Sequence, residues 1–93
     1  MKSLNTQIYH TKLKERKVKR MFDYSKLRGR IKEKFGTQNA FADAMKLSAT
    51  TISDKLNNKV QWTQKEIDAA CVLLEIDPAD IPIYFFTVKV KEL

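Results

Sequence analysis

Apolar residues recur every three or four positions through most of the chain, which is the spacing of helices with one buried face. Leu27, Ile31 and Phe35 follow one another at steps of four, and Gly36 then suits the end of a helix. The pattern therefore predicts a first helix over about residues 25–35.

Residues that favour helix starts precede three further helical segments. Thr37, Ser48 and Thr63 each suit the N-cap position, and Glu66 completes a capping box with Thr63. Asn57-Asn58 suits the end of the third helix, because asparagine tolerates a left-handed backbone. The inward faces of these helices are predicted to carry Phe41, Met45, Ile52, Leu56, Ile67, Ala70, Cys71 and Leu74.

Near the C-terminus the hydrophobic period changes from four to two. Asp77-Pro78 favours a short fifth helical turn that Pro82 closes, and residues 83–91 then alternate as a strand does. The strand needs a partner, which is residues 4–8, a second copy, or the helices that it lies across. We favour a second copy, which makes the protein a homodimer. The predicted fold is mainly α: a five-helix bundle with a C-terminal β-strand.

Positive charge is concentrated at the N-terminus. Residues 1–20 hold seven basic side chains and one acid, and so carry +6 of the formal net charge of +7. We expect a basic flexible arm over residues 1–20, a folded domain over 21–82, and a possible dimerisation strand over 83–93. Within the domain, residues 26–59 hold eight basic and three acidic side chains, whereas residues 66–80 hold five acids and no base. Only the first of these segments has the excess of positive charge that attracts phosphate groups.

Several classes of protein are excluded by the sequence. No apolar run is long enough to span a bilayer, and the first ten residues lack the features of a secretory signal. The lone cysteine, Cys71, favours a cytoplasmic location and is expected to be buried. His10 lies in the arm, far from Cys71 in sequence, so neither a catalytic pair nor a metal cluster is expected. We therefore predict no enzyme, no cofactor and no small-molecule substrate.

A helix that ends near Met45 and restarts at Ser48 needs a reason, since helix nucleation is unfavourable. Two helices separated by a tight turn form a helix-turn-helix, which presents the second helix to the major groove of DNA. Ala42 favours close approach of the two helices. The outward face of the third helix, over residues 48–57, holds short polar side chains, with Thr51 and Lys55 at its sides.

At these residues the sequence resembles the Cro/phage-repressor-type (XRE-like) helix-turn-helix family. The resemblance covers about residues 24–81, and residues 21–93 resemble a small family of uncharacterised regulators from phages of Gram-positive bacteria. The matching features are Gln38, Phe41-Ala42, Met45, Leu47, Ser48, Ile52, Asn57, the Ile67 to Leu74 pattern and the Ile76 to Ile81 pattern.

The resemblance implies a phage or prophage transcriptional regulator that binds a double-stranded DNA operator as a dimer. The positions that read bases would be Ala49, Thr50, Ser53 and Asp54. The expected phosphate contacts are Thr37, Gln38, Thr51, Asn57 and Lys59, helped by the positive N-termini of the second and third helices. Gln38 is also expected to brace the first base-reading residue.

Three positions depart from the family pattern. Lys46 replaces the usual glycine of the turn, so the turn must either be strained or tolerate a left-handed lysine. Lys55 occupies a position that is more often apolar, and Leu56 is expected to take over its packing. Ala49 replaces a frequent glutamine, which limits its base contact to a thymine methyl.

Other interpretations remain open. The less favoured interpretation of Thr37 and Gln38 is a simple capping pair, and that of Thr50, Ser53 and Asp54 is a solvated helix face. One alternative function is an antitoxin-like or anti-repressor-like module that binds another protein through the C-terminal strand. Another is a non-specific nucleic-acid binder driven by the arm. Trp62 is predicted to cover the core.

Overall fold

The computed structural model describes residues 18–92, and its helices follow the order that the sequence predicts. The elements are strand β1 (Val18–Phe22), α1 (Ser25–Phe35), α2 (Gln38–Met45), α3 (Ala49–Leu56), α4 (Gln64–Leu74), a 3-10 turn (Pro78–Asp80), α5 (Ile81–Phe85) and strand β2 (Val88–Glu92). The predicted mainly α bundle of five helices with a C-terminal strand is confirmed. Most of the predicted arm, residues 1–17, lies outside the described residues. None of the described helices is long and apolar enough to cross a bilayer.

The predicted N-caps start three of the helices. The hydroxyl oxygens of Thr37 and Ser48 each accept a hydrogen bond of 3.1 Å from the backbone N–H three residues later. The Thr63 N–H donates to Glu66 Oε1 at 2.9 Å, and the Glu66 N–H donates to Thr63 Oγ1 at 3.1 Å. Local hydrogen bonds therefore determine where α2, α3 and α4 begin.

A single hydrophobic core lies between the helices. Cys71 belongs to it, as predicted, and burial together with the charge of Asp68 raises the pKa of its thiol above the ordinary value. The buried apolar residues are Tyr24, Leu27, Ile31, Phe41, Ala42, Ile52, Leu56, Ala70, Cys71, Leu74, Ile76 and Phe85.

The C-terminal segment differs from its prediction. Pro82 does not close the fifth turn but lies in the first turn of α5, where its fixed φ and missing N–H are well tolerated. Ile81 and Phe85 are four residues apart in this helix, and the Phe85 side chain is only 1% exposed. The predicted strand over 83–91 is therefore wrong in its first half, because burial of Phe85 favours helical over extended backbone.

Strand β2 pairs with β1 of the same chain, which is none of the partners that the sequence suggested. The strands are antiparallel, from Val18 opposite Glu92 to Phe22 opposite Val88. Residues 18–20, which we assigned to the flexible arm, thus belong to the ribbon. The N–H of Asp23 donates to the Thr87 carbonyl at 2.7 Å and extends the pairing towards the helices. Dimerisation through the C-terminal strand remains a prediction and must use the other edge of β2.

Asn58 joins the ribbon to the end of α3. Its backbone is left-handed, with a φ of 64°, as the Asn57-Asn58 pair predicts. The Phe22 N–H donates to Asn58 Oδ1 at 2.9 Å, and Asn58 Nδ2 donates to the Phe22 carbonyl, also at 2.9 Å. This side chain therefore satisfies both backbone groups of the last residue of β1.

Candidate functional site

A three-residue turn, Lys46 to Ser48, joins α2 to α3. Lys46 is left-handed, with φ 61° and ψ 39°, so the predicted left-handed lysine is confirmed. The N–H of Leu47 donates to the Ala42 carbonyl at 3.0 Å, and Ala42 is 1% exposed. The small Ala42 side chain thus lies in the packed region beside the turn, as the helix break requires.

The four predicted base-reading residues all lie on α3, but they differ in exposure. Ala49 and Thr50, in its first turn, are exposed, whereas Ser53 and Asp54 are half-buried. Asn57 Nδ2 donates to Ser53 Oγ at 3.3 Å. The first turn of α3 is therefore the part of this set that is most available to a partner.

Two of the three residues predicted to contact phosphate near the helix starts already have structural partners. Thr37 uses its hydroxyl to cap α2, and Thr51 Oγ1 lies 2.8 Å from Ser48 Oγ. Gln38 is half-buried, and no hydrogen bond of its side chain is found within residues 18–92. Its proposed bracing of α3 remains a prediction.

The C-terminal end of α3 is closed by Arg28. Its Nη2 donates to the Leu56 carbonyl at 3.0 Å and to Asn57 Oδ1 at 2.9 Å. A cation at this end also suits the negative helix terminus. Asn57 is therefore engaged within the fold, whereas the side chain of Lys59 is exposed.

Positive charge over residues 26–59 is partly neutralised by contacts that the sequence does not reveal. The Arg30 guanidinium also closes α4, donating from Nε to the Leu74 carbonyl at 2.8 Å and from Nη2 to the Glu75 carbonyl at 3.1 Å. Three of the eight basic residues make ion pairs: Arg30–Glu33 at 2.8 Å, Lys34–Glu75 at 3.2 Å and Lys55–Glu66 at 2.8 Å. The surface of the bundle is thus less basic than the sequence of this segment suggests.

Lys55 is buried, which corrects its predicted place at the side of the exposed face. The side chain is 5% exposed, and its Nζ donates to the Gln61 carbonyl at 2.9 Å and contacts Glu66. Burial raises the pKa of the Glu66 carboxyl, but hydrogen bonds from Lys55 and Thr63 and the Lys55 charge together lower it below its ordinary value of 4.5. Leu56 is buried beside it, as predicted.

An open groove of about 440 Å³ lies between the ribbon, the loop after α3, and α5. We call it the aromatic groove. Phe86 and Val60 are half-exposed there, at 50% and 48%. Its lining residues are Met21, Phe22, Tyr24, Asn58, Lys59, Val60, Gln61, Trp62, Ile67, Phe85 and Phe86.

Edge-on aromatic contacts build the wall of the aromatic groove. Trp62 packs against Phe85 and Tyr24 with ring centroids 5.4 and 6.4 Å apart, which confirms that it covers the core. Phe22 packs edge-on against Phe86 at 5.9 Å. Sequence reasoning missed this groove because its walls come from separate segments. The two signals for it were Trp62 and the aromatic stretch at residues 83–86.

Fold and surface thus define a small, mainly helical domain with a two-stranded ribbon and an open groove that is lined largely by apolar and aromatic side chains. The family model described as "Protein of unknown function (DUF739)" matches residues 20–88, and the chain belongs to this family.

The chain is also similar to the modulator of repression (MOR) of the temperate bacteriophage TP901-1 from Lactococcus lactis, known from a solution structure. The two are 57% identical, with a TM-score of 0.64, over 70% of this chain and 88% of that one. No curated protein sequence matches the chain. The expected similarity to phage regulators is therefore confirmed, as similarity to a phage modulator of repression.

Proposed function

We propose that this protein is a phage-type regulator that binds a repressor protein and thereby changes how that repressor controls its operator. It acts by binding alone, without catalysis. The observation that carries the proposal is the 57% identity to a modulator of repression, over 88% of that protein. More than half of the aligned positions are identical, so we expect a related mode of action. Among the functions that the sequence suggested, this is the anti-repressor-like one.

The surface of the domain is consistent with binding to a protein. The aromatic groove exposes apolar side chains, including half of Phe86 and of Val60. Exposed apolar patches in small domains often mark interaction sites. Meanwhile, Arg30, Lys34 and Lys55 are engaged by acids of the same chain, which reduces the attraction of the bundle for phosphate.

A direct test uses the purified protein and the repressor encoded in the same genome. Size-exclusion chromatography with light scattering should detect a complex at micromolar concentrations. A gel-shift titration should then show that the protein changes the affinity of the repressor for its operator. The matched control omits the repressor and asks whether the protein alone shifts the same DNA. Absence of a complex, with unchanged operator binding, would reject the proposal.

The second candidate is direct DNA binding through α2 and α3 as a helix-turn-helix. It is favoured by the exposed Ala49 and Thr50, which begin a helix after a three-residue turn. Selection of duplexes from a random library at about 150 mM salt tests it, because non-specific phosphate attraction is weakened there. A recovered palindrome with half-sites about 34 Å apart would support it together with the predicted dimer. If the selection recovers no motif, repressor binding is the sole remaining candidate.

A further inference from the structure

We infer that the aromatic groove is where the repressor docks, through a segment that combines apolar and acidic side chains. This inference rests on the proposed function and specifies the surface that carries it. It assigns the interaction to the groove between the ribbon and α5, away from the exposed first turn of α3.

The shape and chemistry of the groove favour apolar anchors. At about 440 Å³ it falls within the range of pockets that hold ligands, about 300–1,000 Å³. Its walls include the aliphatic side chains of Val60, Ile67 and Met21 as well as aromatic rings. Burial of Phe86 and Val60, which are half-exposed, would remove apolar surface from water and favour association.

The charges around the groove favour an acidic segment. Lys59 is exposed and is the one charged residue in the lining of the described part of the chain. No acidic residue is found in the lining of the groove among the described residues. An acidic side chain of the docked segment would therefore complement the charge of Lys59.

A polar group in the groove wall also lacks a partner. The indole Nε1 of Trp62 is buried, and no acceptor for it is found among residues 18–92. An unsatisfied buried donor costs about 1–3 kcal/mol. A backbone carbonyl of the docked segment would satisfy it after a small turn of the ring towards the groove. The repressor segment is therefore expected to approach Trp62 with its main chain.

Single-stranded nucleic acid is the competing occupant, because it also combines negative charge with groups that stack on aromatic rings. The groove favours protein instead. Phe22 is held edge-on by Phe86, and Val60 and Ile67 offer no flat surface for a base. The test below separates the two occupants.

Trp62 is the only tryptophan in the chain, so its fluorescence reports on the groove directly. The probes are the intact repressor, for which affinity is measured by calorimetry, and overlapping 15-residue peptides that cover its tryptophan-free segments. We expect one acidic, apolar peptide to change Trp62 emission. Phe86→Asp and Val60→Asp should lower the affinity for the repressor at least about tenfold, since central apolar anchors dominate interfaces. Lys59→Glu should have a lower affinity than the wild type for the acidic peptide. For a version of that peptide with lysine in place of its acidic residues, the variant should have the higher affinity.

Val72→Asp provides the matched control, because Val72 is 73% exposed and does not line the groove. It should bind the repressor within about twofold of the wild type, as substitutions outside an interface do. If the two groove variants also bind like the wild type, the groove assignment is overturned while the proposed function stands. If the wild type does not bind the repressor, both the groove assignment and the proposed function are rejected. Binding of a random single-stranded oligonucleotide that Phe86→Asp abolishes, without binding of any peptide, would overturn the protein occupant.

Discussion

Lys55 Nζ lies 2.8 Å from Glu66 Oε1, so a buried lysine at the end of α3 contacts the residue that caps the start of α4. The side chains are 5% and 20% exposed. The same carboxylate oxygen also accepts the N–H of Thr63. One carboxylate thus links helix capping to the packing of α3 against α4.

Replacing Lys55 should be among the most destabilising changes to a charged residue. Lys55→Met leaves Glu66 partly buried without its cation, so we expect the free energy of unfolding to fall by about 2–4 kcal/mol, measured by urea denaturation. The double variant Lys55→Met/Glu66→Gln should recover part of this loss. Lys34→Ala, which removes the exposed pair with Glu75, should cost less than about 1 kcal/mol. Equal losses for the two single variants would contradict a special role for the buried pair.

The lowered pKa of Glu66 predicts a dependence of stability on pH. Because the folded-state pKa lies below its ordinary value of 4.5, ionised Glu66 stabilises the fold fully above about pH 4.5. That contribution is lost as the pH falls through the folded-state pKa. The difference in unfolding free energy between wild type and Glu66→Gln should therefore shrink as the pH is lowered from 6 towards about 3. A constant difference would mean that Glu66 is not the titrating group.

The left-handed lysine in the turn predicts a stabilising substitution. Lys46 has a φ of 61°, where a β-carbon is unfavourable, so Lys46→Gly should raise the free energy of unfolding by about 0.5–1 kcal/mol. Lys32→Gly, at an exposed position within α1, should lower it by about 1 kcal/mol. Thermal and urea unfolding measure the free energy of unfolding of the two variants, which should change in opposite directions. A loss of stability in Lys46→Gly would show that the lysine side chain has a role in the turn.

Asn58 should hold the ribbon on the bundle. Asn58→Ala removes both hydrogen bonds to Phe22 and puts a less suitable residue in a left-handed backbone, so we expect a loss of about 2–3 kcal/mol. Asn58→Gly loses the same bonds but keeps the backbone freedom, and should cost less. Hydrogen exchange of the Phe22 amide should be faster in both variants. An unchanged exchange rate would mean that the strand pairing alone holds this end of β1.

If α3 also reads DNA, its first turn and Lys59 should contribute differently. Thr50→Ala should cost about 1–3 kcal/mol on the selected operator and relax preference at one base position. Lys59→Ala should weaken operator and random DNA alike and reduce the salt slope by about one. Binding titrations of both duplexes at several salt concentrations measure this. Equal losses on both duplexes for Thr50→Ala would remove α3 as the reader.

The sequence by itself determined the four main helices, because their signals are local. Apolar residues at steps of four in α1, and the caps at Thr37, Ser48 and Thr63, specify a helix through neighbours within one turn. The left-handed backbone of Asn58 was predicted from a local signal too, the Asn57-Asn58 pair, whereas that of Lys46 was inferred from the glycine of the family pattern.

Tertiary structure decided the rest. Residues 83–86 suit a strand or a helix by their local pattern, and burial of Phe85 among distant helices selects the helix. Lys55 turns inward because the Glu66 carboxylate, from another helix, and the Gln61 carbonyl accept its ammonium group there. The aromatic groove exists only where β1, the loop after α3, and α5 meet. Strand pairing, ion pairs and grooves between segments far apart in the chain depend on the assembled fold. The local pattern of apolar residues therefore does not predict them.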